Sequence, residues 1–156
     1  MRLQIAGART RAIQTGVAYQ FRFEPKGGKF AVVPFEGEPE TVITPTNQTA
    51  NANIVNAQHR FAGELPKNIS FLLPTLSSSA PIVPGQKLTD AAFRGLPNAG
   101  ALASVSWSAP LVFTTEGTAM DGIVTLGDKR GHRIDIAVRG LTGAASVSLM
   151  RKEAIR

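Results

Sequence analysis

The sequence predicts an α+β protein in which one N-terminal amphipathic helix packs on antiparallel β-sheets. Helical periodicity is confined to residues 1–16, whereas residues 17–35 and 111–150 alternate apolar and other side chains with a period of two. Helical and extended segments are therefore segregated along the chain, which is typical of α+β folds. A length of 156 residues fits a single domain, and there is no internal repeat.

The segment 2–16 is predicted to form the helix, because apolar positions recur at spacings of three and four and share one narrow face. The positions on this face are Leu3, Ala6, Thr10, Ile13 and Val17. Gly16 is expected to end the helix in the left-handed conformation. Short helices are marginal alone, so we expect the C-terminal part of the face to pack on the chain's own sheet, leaving Leu3 and Ile5 available to a partner. The candidate subunit interface is Leu3, Ile5, Ala6 and Ile13.

A β-hairpin is predicted over residues 17–35, with its turn at 25–28. The next predicted segments are a strand at 41–43, a polar loop at 44–64 and a strand at 69–73. Residues 74–104 are rich in Pro, Ser, Gly and Ala, which indicates a long loop with one helical turn near 88–93. Because long loops are often functional, this loop is a candidate partner-contact surface.

Residues 111–150 are predicted to form a β-meander with one face on the core and one face in water. The predicted strands lie at 111–114, 122–126, 134–138 and 145–149, with turns at 127–131 and 140–143. The charged tail, residues 151–156, is expected to be frayed.

The composition excludes several kinds of site. The chain has no cysteine, which excludes disulfides, iron–sulfur clusters and thiol catalysis. It has two histidines, so a multi-histidine zinc site would need several carboxylates. No apolar run approaches the roughly 20 residues of a transmembrane helix. The net charge of +6 permits nucleic acid, anionic lipid or an acidic partner without choosing among them.

Three carboxylates, Asp121, Asp128 and Asp135, lie seven residues apart and are the strongest candidates for metal binding or acid–base chemistry. The first two lie in turn-like contexts, where aspartate accepts hydrogen bonds from backbone donors, and Asp135 falls on the wet face of a strand. His132 and His59 are expected at the surface. No serine stands in a nucleophile-elbow context, so we predict no catalytic residue, cofactor or metal.

Two segments carry a family pattern. The first, residues 8–16, reads A-R-T-R-A-I-Q-T-G and leads into the first strand. The second reads F-T-T-E-G-T-A at 113–119, I-V-T-L at 123–126, G-H-R-I at 131–134 and G-L-T-G at 140–143. In order and spacing, these segments resemble the "A-R-x-x-A-I" helix end and the C-terminal glycine pattern of H-type minor pseudopilins of type II secretion systems. They cover roughly half of the chain, and residues 36–104 match no pattern.

The resemblance implies a pilin-like fold, with residues 1–16 as the C-terminal half of the pilin helix, and a structural rather than enzymatic function. Members of that family have a leader, cleaved before a methylated aromatic residue, and an apolar half-helix that anchors them in the bacterial inner membrane. Their heads lie in the periplasm and assemble with major and minor pseudopilins. Exported proteins are further candidate partners. We expect this chain to be such a soluble head, with the membrane helix truncated before Arg2.

The resemblance also covers minor pilins that bind DNA during natural transformation through basic residues near the C-terminus. The basic residues in the corresponding part of this chain are Lys129, Arg130, Arg133, Arg139, Arg151, Lys152 and Arg156. Such a cluster would support salt-dependent phosphate contacts, although aromatic stacking partners are lacking nearby. DNA binding is therefore an alternative to secretion. A β-rich hydrolase or a non-catalytic binding module, including a sugar-binding one, is an alternative from another class.

Overall fold

The computed structural model describes residues 1–35, 59–73 and 87–152. The helical elements are α1 (Arg2–Thr15), a 3-10 turn (Asp90–Phe93) and α2 (Ala99–Ala103). The strands are β1 (Tyr19–Phe23), β2 (Lys29–Pro34), β3 (Phe61–Glu64), β4 (Ile69–Leu72), β5 (Leu111–Phe113), β6 (Gly122–Asp128), β7 (His132–Arg139), β8 (Ala144–Val147) and β9 (Arg151–Lys152). All pairings among these strands are antiparallel. The described part of the chain is therefore sheet-rich, with mixed helix and antiparallel sheet.

Helix α1 ends where the sequence predicts. Gly16 follows its last turn with φ 66° and ψ 21°, and the Gly16 N–H donates to the Ala12 carbonyl at 3.1 Å. A glycine in the left-handed conformation satisfies one of the last helical carbonyls and turns the chain away. The helix consequently delivers the chain directly into strand β1.

The predicted buried face of α1 is wrong. The fully buried residues are Ile5, Ala8 and Ala12, whereas Ile13, expected to pack on the sheet, is 47% exposed. Leu3 is 83% exposed, in agreement with the expectation that it is available to a partner. Apolar side chains lie all around this helix, so their spacing fits more than one face. The sheets pack on the face with two alanines because small side chains let the helix axis approach the strands closely.

The strands form two sheets joined by a hairpin turn. The first has the order β3–β2–β1–β5, and the second has the order β4–β6–β7–β8, with β9 also paired to β7. The turn between β1 and β2 forms two backbone hydrogen bonds with β4. The Lys26 N–H donates to the Phe71 carbonyl, and the Phe71 N–H donates to the Gly27 carbonyl, both at 2.9 Å. The predicted hairpin is confirmed, and its turn also covers the outer edge of the second sheet.

Several predictions for the middle and end of the chain need correction. Residues 61–64, predicted as loop, form β3, and residues 99–103 form α2 within the predicted long loop. Strand β5 pairs with β1 rather than with β6, so the meander contains β6, β7 and β8 but not residues 111–113. Residues 151–152 of the predicted frayed tail pair with β7. The predicted helical turn near 88–93 is confirmed.

The predicted strand at 41–43 and large parts of the predicted loops lie outside the described residues, namely 44–58 and 74–86.

The main core lies between α1 and the inner faces of both sheets. Its buried members are Ile5, Ala8, Ala12, Tyr19, Phe21, Phe23, Phe30, Val32, Phe71, Leu111, Phe113, Val124, Ile136 and Val138. Phe23 of the first sheet stacks on Phe71 of the second, with ring centroids 4.8 Å apart. Large aromatic side chains contribute most of the buried area in such a contact, so this pair holds the two sheets together.

The outer face of the first sheet is covered as well. Its buried apolar members are Ala31, Val33, Ala92, Phe93, Val105 and Trp107. Arg22 of β1 lies on this face: its Nε donates to Gln20 Oε1 at 2.7 Å and its Nη1 to the Ser108 carbonyl at 3.1 Å. Desolvation by burial lowers the pKa of Arg22. The period-two alternation of β1 therefore separates two buried faces rather than a buried face and a wet one.

Candidate helix–head junction and assembly surfaces

The segments that carry the family resemblance meet at one point, which we call the helix–head junction (Arg9, Gly117 and Gly143). Arg9 projects from the middle of α1, and its Nε donates to the Gly117 carbonyl at 2.9 Å across 108 sequence positions. Gly117 lies in the loop between β5 and β6, and Gly143 lies in the turn between β7 and β8. The helix motif, the β5–β6 loop motif and the last glycine motif are thus brought into contact.

Both junction glycines are favoured by conformation, and Gly143 is also required by space. Gly117 has φ 83° and Gly143 has φ 60°, a region that favours glycine because it lacks Cβ. A Cβ on Gly143 would lie 2.5 Å from the Gly117 carbonyl oxygen and 2.8 Å from Arg9 Cδ. A Cβ on Gly117 would lie 2.9 Å from Ile13 Cδ1. Any larger side chain would therefore push the helix and the two turns apart.

Hydrogen bonds hold together the loop and the turn that contact Arg9. The Ala119 N–H donates to the Gly140 carbonyl at 2.7 Å, and the Gly140 N–H donates to Asp121 Oδ1 at 2.8 Å. Within the β5–β6 loop, the Gly117 N–H donates to the Thr114 carbonyl at 3.0 Å. Arg9 therefore donates to a carbonyl that is held in place on both sides. The junction sets the direction of α1 relative to the second sheet.

The residues of the predicted subunit interface differ in their exposure to solvent. Leu3, Ala6 and Ile13 are exposed, but Ile5 is 0% exposed in the chain's own core, so the inclusion of Ile5 was wrong. Near the start of the helix, Arg2 Nε donates to the Ala145 carbonyl at 3.1 Å. The helix is thus attached to β8 at its first turn and to the β5–β6 loop at the junction. Leu3, Ala6 and Ile13 face outward.

The structure brings some, but not all, of the predicted basic residues together. One end of the second sheet carries Lys129, Arg130, Arg133, Arg151 and Lys152. There Arg133 lies opposite Arg151 in the strand pairing. Arg139 lies six positions along β7 from Arg133, about 20 Å away at 3.3 Å per residue. Arg151 forms an ion pair with Asp135, which offsets part of its charge. Arg156 lies outside the described residues.

The three spaced aspartates are engaged in local structure rather than gathered into a site. Asp128 accepts from His132 Nδ1 at 2.8 Å, from the His132 N–H at 2.9 Å and from the Arg130 N–H at 2.8 Å. The His132 hydrogen bonds, with a smaller contribution from Arg130, lower the pKa of Asp128. Asp135 accepts from Thr125 Oγ1 at 2.8 Å on the outer face of the second sheet. The turn interpretation of Asp128 is confirmed, and Asp121 caps the backbone of a neighbouring turn.

Among residues 1–35, 59–73 and 87–152, no group of three His, Asp or Glu side chains could hold a metal ion. Within the same ranges, no helix is long and apolar enough to span a membrane. Neither protein-family models nor the curated proteins and solved structures compared with the chain gave a match.

Proposed function

We propose that the protein is a structural subunit of a type II secretion pseudopilus, of the H-type minor pseudopilin class, with a pilin-like head. The observation that carries this proposal is the helix–head junction. The helix motif and the glycine motifs are separate stretches of sequence, yet they meet around the hydrogen bond between Arg9 and Gly117. Unrelated chance matches have no physical reason to converge on one contact, whereas parts of one family pattern do.

The junction also suits the mechanical work of a filament subunit. A head that is carried on a helix transmits its position to neighbours only when helix and head move as one body. In this chain the helix is buried on its Ile5 face and fixed at Arg9, while Leu3 remains exposed for contacts with other subunits. The function requires specific contacts and no chemistry, so we propose no catalytic residue, metal or cofactor.

In this proposal, a half-helix preceding α1 anchors the protein in the bacterial inner membrane, and the head lies in the periplasm. The partners are the major and minor pseudopilins of the same filament. Exported proteins that contact the filament tip are secondary partners.

The proposal is tested by deleting the gene in its host and measuring export of the secreted proteins and recovery of pseudopili. We expect export to be lost and to return with the wild-type gene. Leu3→Asp should restore export poorly, because it places a charge in the subunit contact. Met120→Asp is the matched control, since Met120 is also exposed, at 57%, but is not part of α1. Normal export in the deletion strain would remove the secretion proposal.

DNA uptake is a second candidate, favoured by the pairing of Arg133 opposite Arg151 beside three further cations. Gel shifts at several salt concentrations test it. If the candidate holds, Lys129→Ala and Lys152→Ala should each reduce the slope of log affinity against log salt by roughly one. No shift at low salt would eliminate it.

A further inference from the structure

Strand β8 is the outer edge of the second sheet, and no described strand pairs with its far side. The Ser148 N–H donates inward to the Asp135 carbonyl at 2.8 Å, so the alternation of an antiparallel ladder turns the peptide groups of Ala145 and Val147 outward. The hydrogen bond from Arg2 to the Ala145 carbonyl agrees with this orientation. At Val147, an outward N–H and an outward carbonyl are therefore presented for pairing.

The edge is interrupted by a β-bulge. In the pairing with β7, Val147 lies opposite Ile136 and Arg151 lies opposite Arg133. Four steps along the edge therefore match three steps along β7. The Ser148 N–H donates to the Asp135 carbonyl, so Leu149 and Met150 share the remaining residue, Ile134. Bulges frequently re-aim side chains beside binding sites. Here Leu149 is 89% exposed and Met150 is 63% exposed.

Exposed apolar side chains concentrate beside this edge. Among the described residues, ten large hydrophobic side chains are exposed, and four of them fall within residues 141–150: Leu141, Val147, Leu149 and Met150. The edge has three features that protect edges against aggregation, namely a four-residue strand, a bulge and flanking cations, but exposed leucine and methionine are not among such features. A local concentration of exposed apolar surface is typical of a contact site.

Positive charge brackets the same edge. Arg2 and Arg139 lie at its beginning, and Arg151 and Lys152 lie at its end, all four exposed. Asp135, a carboxylate on the adjacent strand, is already engaged by Arg151. A second copy of this chain would bring the same cations into opposition, which disfavours self-pairing. An acidic strand would be attracted to both ends.

We propose that the β8–β9 edge is a docking site for an extended, acidic segment of a partner protein. The segment pairs with the outward N–H and carbonyl of Val147 and places apolar side chains against Val147, Leu149 and Met150. Backbone pairing supplies affinity in such strand addition, and alternate side chains supply specificity. Arg2, at the start of α1, lies at one end of this site, but the argument for the site does not depend on the secretion proposal.

The test uses the isotope-labelled protein and a synthetic peptide that alternates glutamate and valine, followed by NMR. We expect the amide signals of residues 144–152 to shift on titration and the Val147 amide to exchange more slowly with solvent. A peptide that alternates lysine and valine is the charge control and should bind much more weakly. Equal binding of the two peptides, or no binding of the glutamate peptide, would overturn the proposal.

Val147→Pro is the decisive variant, because proline removes the outward donor and is tolerated where an edge N–H faces solvent. Val147→Pro should lower the affinity for the glutamate peptide by about fivefold or more, which is the loss expected when one net hydrogen bond is removed. Lys152→Glu should weaken it roughly threefold, in the range of an exposed ion pair. Lys67→Glu is the matched control and should change binding little, because Lys67 is exposed beside β4 at the opposite edge of the sheet.

Unchanged core amide signals will show that each variant is folded. If Val147→Pro does not fold, Lys152→Glu and Leu149→Ser decide the question. Undiminished binding in both would contradict the proposal. If the wild-type protein forms a dimer that dissociates on Lys152→Glu or Val147→Pro substitution, the edge binds a second copy of the chain. That result would overturn the proposal of an acidic partner.

Discussion

Replacing Gly143 with alanine tests how tightly the helix–head junction is packed. Gly143 has φ 60°, and its added Cβ would lie 2.5 Å from the Gly117 carbonyl oxygen and 3.0 Å from Arg9 Nε. The backbone of both turns is held by hydrogen bonds, so neither can move away without further loss. The substitution should therefore displace Arg9 from its acceptor.

The size of the effect follows from two contributions. A left-handed conformation at alanine costs about 1–2 kcal/mol. Loss of the hydrogen bond from the charged Arg9 to Gly117 adds about 1.5–3 kcal/mol. We therefore expect Gly143→Ala to lower the free energy of unfolding by about 2.5–5 kcal/mol. Gly16→Ala is the control, since Gly16 has φ 66° but no atom within 4 Å of its Cβ position. It should lose only about 1–2 kcal/mol.

The assay is urea unfolding followed by the fluorescence of Trp107, the single tryptophan, which is fully buried on the other face of the first sheet. If the free energy of unfolding falls with urea concentration at the same slope in both variants, the difference between their unfolding midpoints reports a difference in stability. If Gly143→Ala and Gly16→Ala lose the same free energy, the junction is not closely packed and the reasoning is refuted.

Three further predictions use the same unfolding measurement. Ile5→Ala should cost about 2–5 kcal/mol as a large-to-small core change, whereas Leu3→Ala should stay within about 0.5 kcal/mol; similar values would contradict the assignment of the buried face. Tyr19→Phe should raise stability by roughly 1 kcal/mol, because the buried Tyr19 hydroxyl has no hydrogen-bond partner in the described structure; a marked loss would show that this hydroxyl is bonded. Asp128 has a lowered pKa when folded, so its contribution is complete above the unfolded pKa of about 3.9 and is lost as the pH falls through the folded value. Asp128→Asn should therefore reduce the loss of stability in acid, and an unchanged acid profile would rule out that contribution.

Features determined by neighbours in sequence were predictable. Gly16 ends the helix because only its local conformation matters, and the turn at 25–28 closes a hairpin between strands that are adjacent in the chain. The turns around Asp128 were predictable for the same reason, since its partners lie within four residues. The family pattern also selected Arg9, Gly117 and Gly143 without showing that they touch.

Features determined by distant segments were not predictable. The buried face of α1 depends on which of several apolar combinations fits the sheets, and Ala8 and Ala12 fit because they are small. Strands β3 and β5 are short, and β5 pairs with β1 about ninety residues earlier, so no local alternation identifies its sheet. The bulge at Leu149 and Met150 follows from the register with β7, which the sequence alone does not contain.

The most direct test of the filament proposal is to purify the protein from the membranes of its host and determine its N-terminus by mass spectrometry. The proposal predicts a methylated aromatic first residue, a glutamate at the fifth position and an apolar segment of about 20 residues preceding Arg2. A native polypeptide that begins at Met1, with no such segment, would contradict it.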